Sequence, residues 1–313
     1  MAAASERVTA VVVSFNRREL LSRGIDALRA QTRPPDRIIV VDNGSIDGTR
    51  DDLRARATNG EIVLIEASQN LGGAGGFERG IAWALELGCD WAWLMDDDAI
   101  PEQDCLERLL DAASHLEAPS FLAPLVTDEA GAPGERNHPE IDTDVSAQCE
   151  IAPLGCVAVK ASTFVGPLLS ATAMRQTHLP LGDFFIWHDD MEYTARLSTF
   201  GRAALVPSAR IAHLVQNRGP LHYNGARNRY NVRNYLWWLR EVRRNRSFNR
   251  NRILLSLLRS LRQQLRGAPN KLSYLWVVAK ATAEGLTKSP RHRTADDVVA
   301  TSRASDAFVG LPT

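Results

Sequence analysis

Apolar β-branched runs alternate with amphipathic stretches over the first hundred residues. Val8 to Ser14 reads VTAVVVS, a fully buried strand. From Arg17 to Ala30, Leu20, Leu21, Ile25 and Leu28 recur at helical spacing until Thr32-Arg-Pro-Pro35 stops the helix. Arg37 to Val41 is a second strand running into Asp42-Asn43-Gly44-Ser45, and Asp47-Gly48-Thr49 opens another helix. Glu61 to Glu66 gives a third strand, followed by a glycine-rich loop, NLGGAGGF, from Asn70 to Phe77. Glu78 to Leu87 is helical, and Trp91 to Met95 is a fourth strand ending in Asp96, Asp97 and Asp98. A helix is expected over Glu102 to Leu110.

Strands alternating with helices imply βαβ units and a mostly parallel sheet, so the fold class is α/β. Ligands bind such sheets beyond the carboxyl ends of the strands. Ser14, Asp42, Asn70 and the triplet at 96–98 all fall there and should meet in one crevice.

The pattern loosens after that. Ser120 to Cys149 is rich in Pro, Gly and Asp and reads as loops with short strands; Val157 to Leu169 reads as strand and turn. An apolar segment, Phe184 to Trp187, leads into His188, Asp189, Asp190 and Glu192, with a helix from about Met191 to Phe200. A short strand at Ala203 to Pro207 and the Ile211-Ala-His213 segment close the sheet-like part. Beyond Tyr223, apolar residues recur every three or four positions with arginines between them, as in amphipathic helices. The expected division is a nucleotide-binding domain over 1–222 and a basic helical extension over 223–313, whose tail after Lys288 is polar and loosely ordered.

Charge sharpens this division. The 37 basic and 37 acidic residues cancel, yet Gly225 to Lys288 holds 15 Lys or Arg against Glu241 and Glu284 alone. Such asymmetry points the extension toward an anionic partner. With Trp237, Trp238 and Trp276 among the arginines, an anionic membrane surface fits; a subunit interface, giving a homo-oligomer, is the other reading. No motif of nucleic-acid recognition accompanies the basic residues, so no nucleic acid is expected. Cys89, Cys105, Cys149 and Cys156 form no CxxC pair and have no zinc spacing, as expected of reduced thiols. The N-terminus lacks the basic and apolar regions of a signal peptide, and no apolar run reaches transmembrane length. The expected location is therefore cytoplasmic.

Three acidic or imidazole features carry the chemistry. Adjacent carboxylates at the end of an apolar strand repel one another unless a divalent cation neutralises them, and hard oxygen ligands favour Mg²⁺ or Mn²⁺; capping of the following helix is the alternative. Asp189 and Asp190 side by side can raise one pKa and create a general base, or simply cap a helix. His213 follows an apolar run and is either a packed histidine or, with Asp96 and Asp98, a metal ligand. Asp42 can accept hydrogen bonds from a ribose hydroxyl or a base N–H, and the glycines after Asn70 allow close approach of a ligand, although glycine clusters also make plain flexible loops. A dinucleotide fold is excluded, because its GxGxxG should follow the first strand, where this chain has SFNRREL.

The order VVDNGS-x-DGT, NLGGAGGF, WLMDDD, FFIWHDDMEY and a downstream His, from about Val8 to His213, resembles the inverting family-2 glycosyltransferases of GT-A fold. NLGGAGGF, DDD and the WHDDxEY segment are similar to bacterial galactofuranosyltransferases that begin a cell-wall galactan on a polyprenyl-diphosphate-linked acceptor. The resemblance implies UDP-galactofuranose as donor and a lipid-linked glycan as acceptor, with the enzyme peripheral at the inner face of the plasma membrane. It assigns Ser14, Arg17, Asp42, Asn70 and Asp97 to the uridine diphosphate, and Asp96, Asp98 and His213 to Mn²⁺ or Mg²⁺. Asp190 becomes the catalytic base, with Asp189 and Glu192 beside it. Trp187, His188 and Arg227 fall to the acceptor side, although His188 stands where the resembled enzymes have a tryptophan beside the acidic pair. A dTDP-rhamnose-dependent rhamnosyltransferase is the competing enzyme, and a nucleotide-binding membrane scaffold with a degenerate site the non-enzymatic alternative.

Overall fold

The computed structural model describes residues 6–133, 137–214, 225–245 and 248–311. The strands are β1 Val8–Ser14, β2 Arg37–Asp42, β3 Val63–Glu66, β4 Trp91–Asp96, β5 Ala99–Pro101 and β6 Pro119–Thr127. They continue as β7 Glu140–Ile141, β8 Val157–Ala161, β9 Leu168–Ser170, β10 Arg202–His213 and β11 Ala307–Val309. The first helices are α1 Arg18–Arg29, α2 Thr49–Thr58, α3 Gly72–Glu86, α4 Cys105–Ser114, α5 Val145–Ile151 and α6 Ala171–Met174. They are followed by α7 Asp189–Leu197, α8 Asn228–Asn245, α9 Arg250–Gly267, α10 Lys271–Thr287 and α11 Ala295–Ser305.

The strands form one mixed sheet in the order β11-β3-β2-β1-β4-β9-β6-β10-β8-β7, with β5 folded back onto β10. β3, β2, β1 and β4 are parallel. Their side chains are buried on both faces, one against α1, α2 and α4, the other against α3 and α11. That two-sided burial is why these strands read as continuous apolar runs. The result is a layered α/β domain with C-terminal helices.

Three expectations change. The NLGGAGGF stretch is mostly helix, because α3 already starts at Gly72. Its glycines let the helix press against the sheet: a Cβ on Gly76 would sit 2.4 Å from Val13 Cγ1, and one on Gly80 2.2 Å from Val11 Cγ1. Most of the nine-residue strand β6 and of the short helix α5 falls within residues 120–149; β6 is in the middle of the sheet and its buried Phe121, Leu122 and Ala123 outweigh the turn residues around them. Likewise the two short segments expected around 203–213 are one strand, β10, whose register shifts between Val206 and Arg210 to absorb Pro207, Ser208 and Ala209.

The tail after Lys288 is also ordered rather than loose. α11 has a capping box from Thr294 and Asp297 and covers α3, with Trp83 Nε1 donating to Ser302 Oγ at 2.9 Å. β11 then pairs antiparallel with β3, and Asp306 accepts from Arg79 Nε. The expected boundary at 222/223 lies outside the described residues. No described helix is long and apolar enough to cross a membrane.

Candidate active site

The carboxyl ends of β2, β1 and β4 lie side by side, with Ser14 opposite Asp42 and Val13 opposite Asp96. Asp97 and Asp98 follow in the turn to β5. Because β5 pairs with the end of β10, His213 lies opposite Ala99, and Leu214 N–H donates to the Asp98 carbonyl at 2.8 Å. This long-range pairing brings His213 to the triplet. Ligand atoms of Asp96, Asp98 and His213 lie within 4.8 Å of one another, and His213 Nε2 is 2.9 Å from Asp98 Oδ1.

Burial and the neighbouring Asp98 push Asp96 up to about 7, and burial pushes Asp97 up to about 6. Burial depresses His213, but its contacts with Asp98 and the charge of Asp96 outweigh this and hold it above the ordinary value. Carboxylates so unfavourably ionised beside an imidazole are a donor set that a hard or borderline divalent cation satisfies. The amide Nδ2 of Asn137 lies 2.7 Å from His213 Nδ1 and fixes the ring from behind.

Around this centre, Asp97 accepts from the Phe15 N–H at 3.1 Å, and the charge of Arg17 pulls against its raised pKa. Asp42 is buried and accepts from Ser45 N–H and Arg50 Nε. Its carboxylate therefore already has partners, and a nucleotide reaching it must share them. Asn70 is exposed and accepts from Gly72 N–H at 2.8 Å, which starts α3.

The second acidic group opens α7. Asp189 is buried and pushed well above the carboxylate range by burial and by Asp190; burial raises Asp190 to about 6. Both members of the pair are therefore harder to ionise than ordinary carboxylates, Asp189 the more so. Asp190 contributes to the rise of Asp96, and Asp96 to that of Asp189, so the two acidic groups lie near enough to feel one another's charge. Glu192 adds to the rise of Asp189 through its charge, while its carboxylate oxygens are engaged elsewhere. It makes a buried bidentate ion pair with Arg196, whose Nη1 donates to Thr177 Oγ1 and the His178 carbonyl and whose Nη2 also donates to the Leu179 carbonyl.

The segment leading to this pair is strained. Phe185, Trp187 and His188 all have positive φ, between 66° and 70°. A non-glycine residue held in such a region costs on the order of 1–3 kcal/mol. The extension offsets that cost. Asn234 Nδ2 on α8 donates to the carbonyls of Phe184, Ile186 and Trp187 at 2.9, 2.9 and 3.0 Å. Arg233 donates to those of Asp183 and Phe184. Asn231, with its amide nitrogen committed to Ser260, accepts from His188 Nε2 at 2.9 Å.

His188 is enclosed by Tyr235 and Trp238, and burial lowers it to about 4, so it is neutral and packed rather than a free acceptor contact. Trp187 is half-buried, and Arg227 is exposed just before α8. Sequence reasoning passed over Asn231, Arg233 and Asn234. The signal was there: amides at 228, 231 and 234 place polar side chains on one face of a helix whose apolar residues are buried.

The sheet order, the acidic turn after β4 and the second acidic pair define a GT-A glycosyltransferase. Residues 9–141 match Glycosyl transferase family 2. The chain is 33% identical over 208 residues to the galactofuranosyltransferase GlfT1 of Mycolicibacterium smegmatis, covering 63% of this chain and 67% of that protein. It is 34% identical over 214 residues to GlfT1 of Mycobacterium tuberculosis, covering 63% and 66%. The chain spans about two thirds of the length of these curated relatives. A 141-residue stretch is 29% identical to an N-acetylglucosaminyl-diphospho-decaprenol L-rhamnosyltransferase of M. tuberculosis, covering 42% of this chain and 45% of that protein.

Among solved structures, the mannosyltransferase PcManGT of Pyrobaculum calidifontis, in complex with GDP-Man and Mn²⁺, superposes with a TM-score of 0.54 at 18% identity. It covers 95% of this chain and 79% of that one. TarS of S. aureus in complex with UDP gives 0.55 at 10% identity, covering 90% and 72%. The chain belongs to glycosyltransferase family 2, which sets aside the non-catalytic scaffold.

Proposed function

We propose that this protein is a divalent-metal-dependent, inverting galactofuranosyltransferase that uses UDP-galactofuranose and a polyprenyl-diphosphate-linked glycan acceptor. The observation carrying this reading is the convergence of Asp96, Asp98 and His213, with the Asp189–Asp190 pair near enough for its charge to act on Asp96. The likeness to the two GlfT1 proteins supports the choice of sugar. Asp96, Asp98 and His213 would hold Mn²⁺ or Mg²⁺, and Ser14, Arg17 and Asp97 would meet the nucleotide. When bound, the cation supplies positive charge against the departing diphosphate.

Asp190 accepts the proton of an acceptor hydroxyl as that oxygen attacks the anomeric carbon. The bond from that carbon to the diphosphate oxygen breaks on the opposite face, and the nucleoside diphosphate leaves with the electron pair. One displacement inverts the configuration, with no carboxylate acting as nucleophile as in retaining glycosidases. Asp189, raised by burial and by Asp190, ionises less readily than a free carboxylate and so adds less repulsion beside the base. With such an acceptor, the site of action is the cytoplasmic face of the plasma membrane.

Thermal unfolding with Mn²⁺ and UDP, dTDP or GDP tests the donor assignment, since a ligand of the folded state raises the melting temperature. Stabilisation by UDP, lost with EDTA, is expected. A preference for dTDP turns the reading toward a rhamnosyltransferase.

A further inference from the structure

Trp237 and Trp238, expected to face a membrane, are buried instead: Trp237 packs on Phe184, and Trp238 joins the core between α8 and α9. The exposed apolar surface lies one layer further out. Leu254, Leu255 and Leu258 of α9 and Leu272, Leu275 and Trp276 of α10 all stand in solvent, Leu272 at 80% and Trp276 at 59% exposure. The opposite side of α9, through Ile253 and Leu257, packs on Tyr235, Trp238 and Val242 of α8. Tyr274 Oη donates to the Leu261 carbonyl at 3.2 Å and ties α10 to α9.

Charge decides what covers this face. Between Arg250 and Lys280 the chain has seven Lys or Arg and no Asp or Glu. A second copy of the chain docking face to face would set these cations against one another. An anionic lipid surface matches both features, because leucines and an interfacial tryptophan enter the headgroup boundary while the cations meet phosphates. Lys280 Nζ, 3.3 Å from the centre of the Trp276 ring, sits where it can do so.

We propose that the α9–α10 pair is an interfacial anchor, seating the protein on an anionic bilayer through these six apolar side chains and their flanking cations. The anchor is attached to α8, the helix that holds the Phe184–His188 segment, so a lipid-tethered acceptor is met next to the catalytic pair. The surface stands apart from the donor assignment and needs no sugar chemistry to test.

The experiment is flotation of the full chain with vesicles of phosphatidylcholine alone or with phosphatidylglycerol. Binding to the anionic vesicles is expected to be at least about tenfold tighter, since each basic residue near such a surface contributes roughly fivefold. It should weaken at high salt. The emission of Trp276 should shift to the blue on binding, and this shift should vanish in Trp276→Phe. The double variant Leu272→Ser/Trp276→Ser should lose about tenfold in binding while keeping its circular dichroism and its thermal response to UDP. Equal binding to both vesicles, no binding, or unchanged binding by the double variant overturns the anchor. So does a soluble dimer that the double variant dissociates. None of these outcomes alters the transferase reading, and a failure of UDP to bind leaves the anchor standing.

Discussion

The side-chain amide of Asn234 donates to the carbonyl of Trp187 at 3.0 Å, and to those of Phe184 and Ile186 besides. A single helical residue in the C-terminal extension thus holds three peptide groups of the strained segment that aims Asp189 and Asp190. Asn234→Ala removes this donor from the carbonyls of Ile186 and Trp187, while Phe184 keeps Arg233; leaving such groups unpaired costs about 1–3 kcal/mol. Denaturant unfolding should report a destabilisation of that size. In kinetics, kcat should fall more than donor affinity, because the nucleotide groups on β1 and β4 are untouched. Equal losses in both place Asn234 in general stability alone.

Asp190→Asn removes the proton acceptor without changing its shape. Transfer should fall by roughly 10²–10⁴-fold, the usual contribution of a positioned base. Calorimetric binding of UDP with Mn²⁺ should stay within a factor of about two. A loss of affinity equal to the loss of rate assigns the residue to donor binding instead.

The same residue sets the acid limb of the pH profile. Burial raises Asp190 to about 6, and only its ionised form takes a proton. The rate should therefore climb as pH rises through about 6 and level off above it. Because Asp189 and Asp190 titrate together, the measured midpoint belongs to the pair. A profile flat from pH 5 to 8 contradicts a carboxylate base here.

Alanine for glycine inside a helix ordinarily stabilises by about 0.5–1 kcal/mol. Gly80→Ala should do the reverse, costing about 1–3 kcal/mol by overpacking, because its Cβ would meet Val11 Cγ1 at 2.2 Å. Thermal unfolding of Gly80→Ala beside Gly73→Ala, whose Cβ meets nothing within 4 Å, separates packing from helix propensity.

Deleting residues 295–313 removes α11 and β11. It uncovers Trp83, which is 2% exposed, and breaks the ion pair of Arg79 with Asp306. Marked destabilisation is expected, as loss of the melting transition or a fall of many degrees. Unchanged stability would restore the picture of a loose polar tail.

The parallel half of the sheet was legible because β1, β2 and β4 bury both faces and so read as unbroken apolar runs. The acidic turn after β4 and the pair at 189–190 were legible as charge at the ends of apolar segments. The glycines of α3 misled, since small size there serves contact with Val11 and Val13, and composition cannot tell close packing from a flexible loop. The tail misled for a related reason: α11 buries only Val298, Val299 and Ser302, too few residues to mark an apolar face among polar neighbours. The pairing of Glu192 with Arg196 is an i,i+4 pattern that the sequence does carry, and the amides at 228, 231 and 234 mark a polar face of α8. Which backbone carbonyls Asn234 holds, however, depends on tertiary geometry.

The most direct test of the assignment is transfer from UDP-galactofuranose to a polyprenyl-diphosphate-linked acceptor, with the anomeric configuration of the product read by NMR. We expect a metal-dependent product of inverted configuration, absent with Asp190→Asn. Transfer only from dTDP-rhamnose, or a product of retained configuration, contradicts the account.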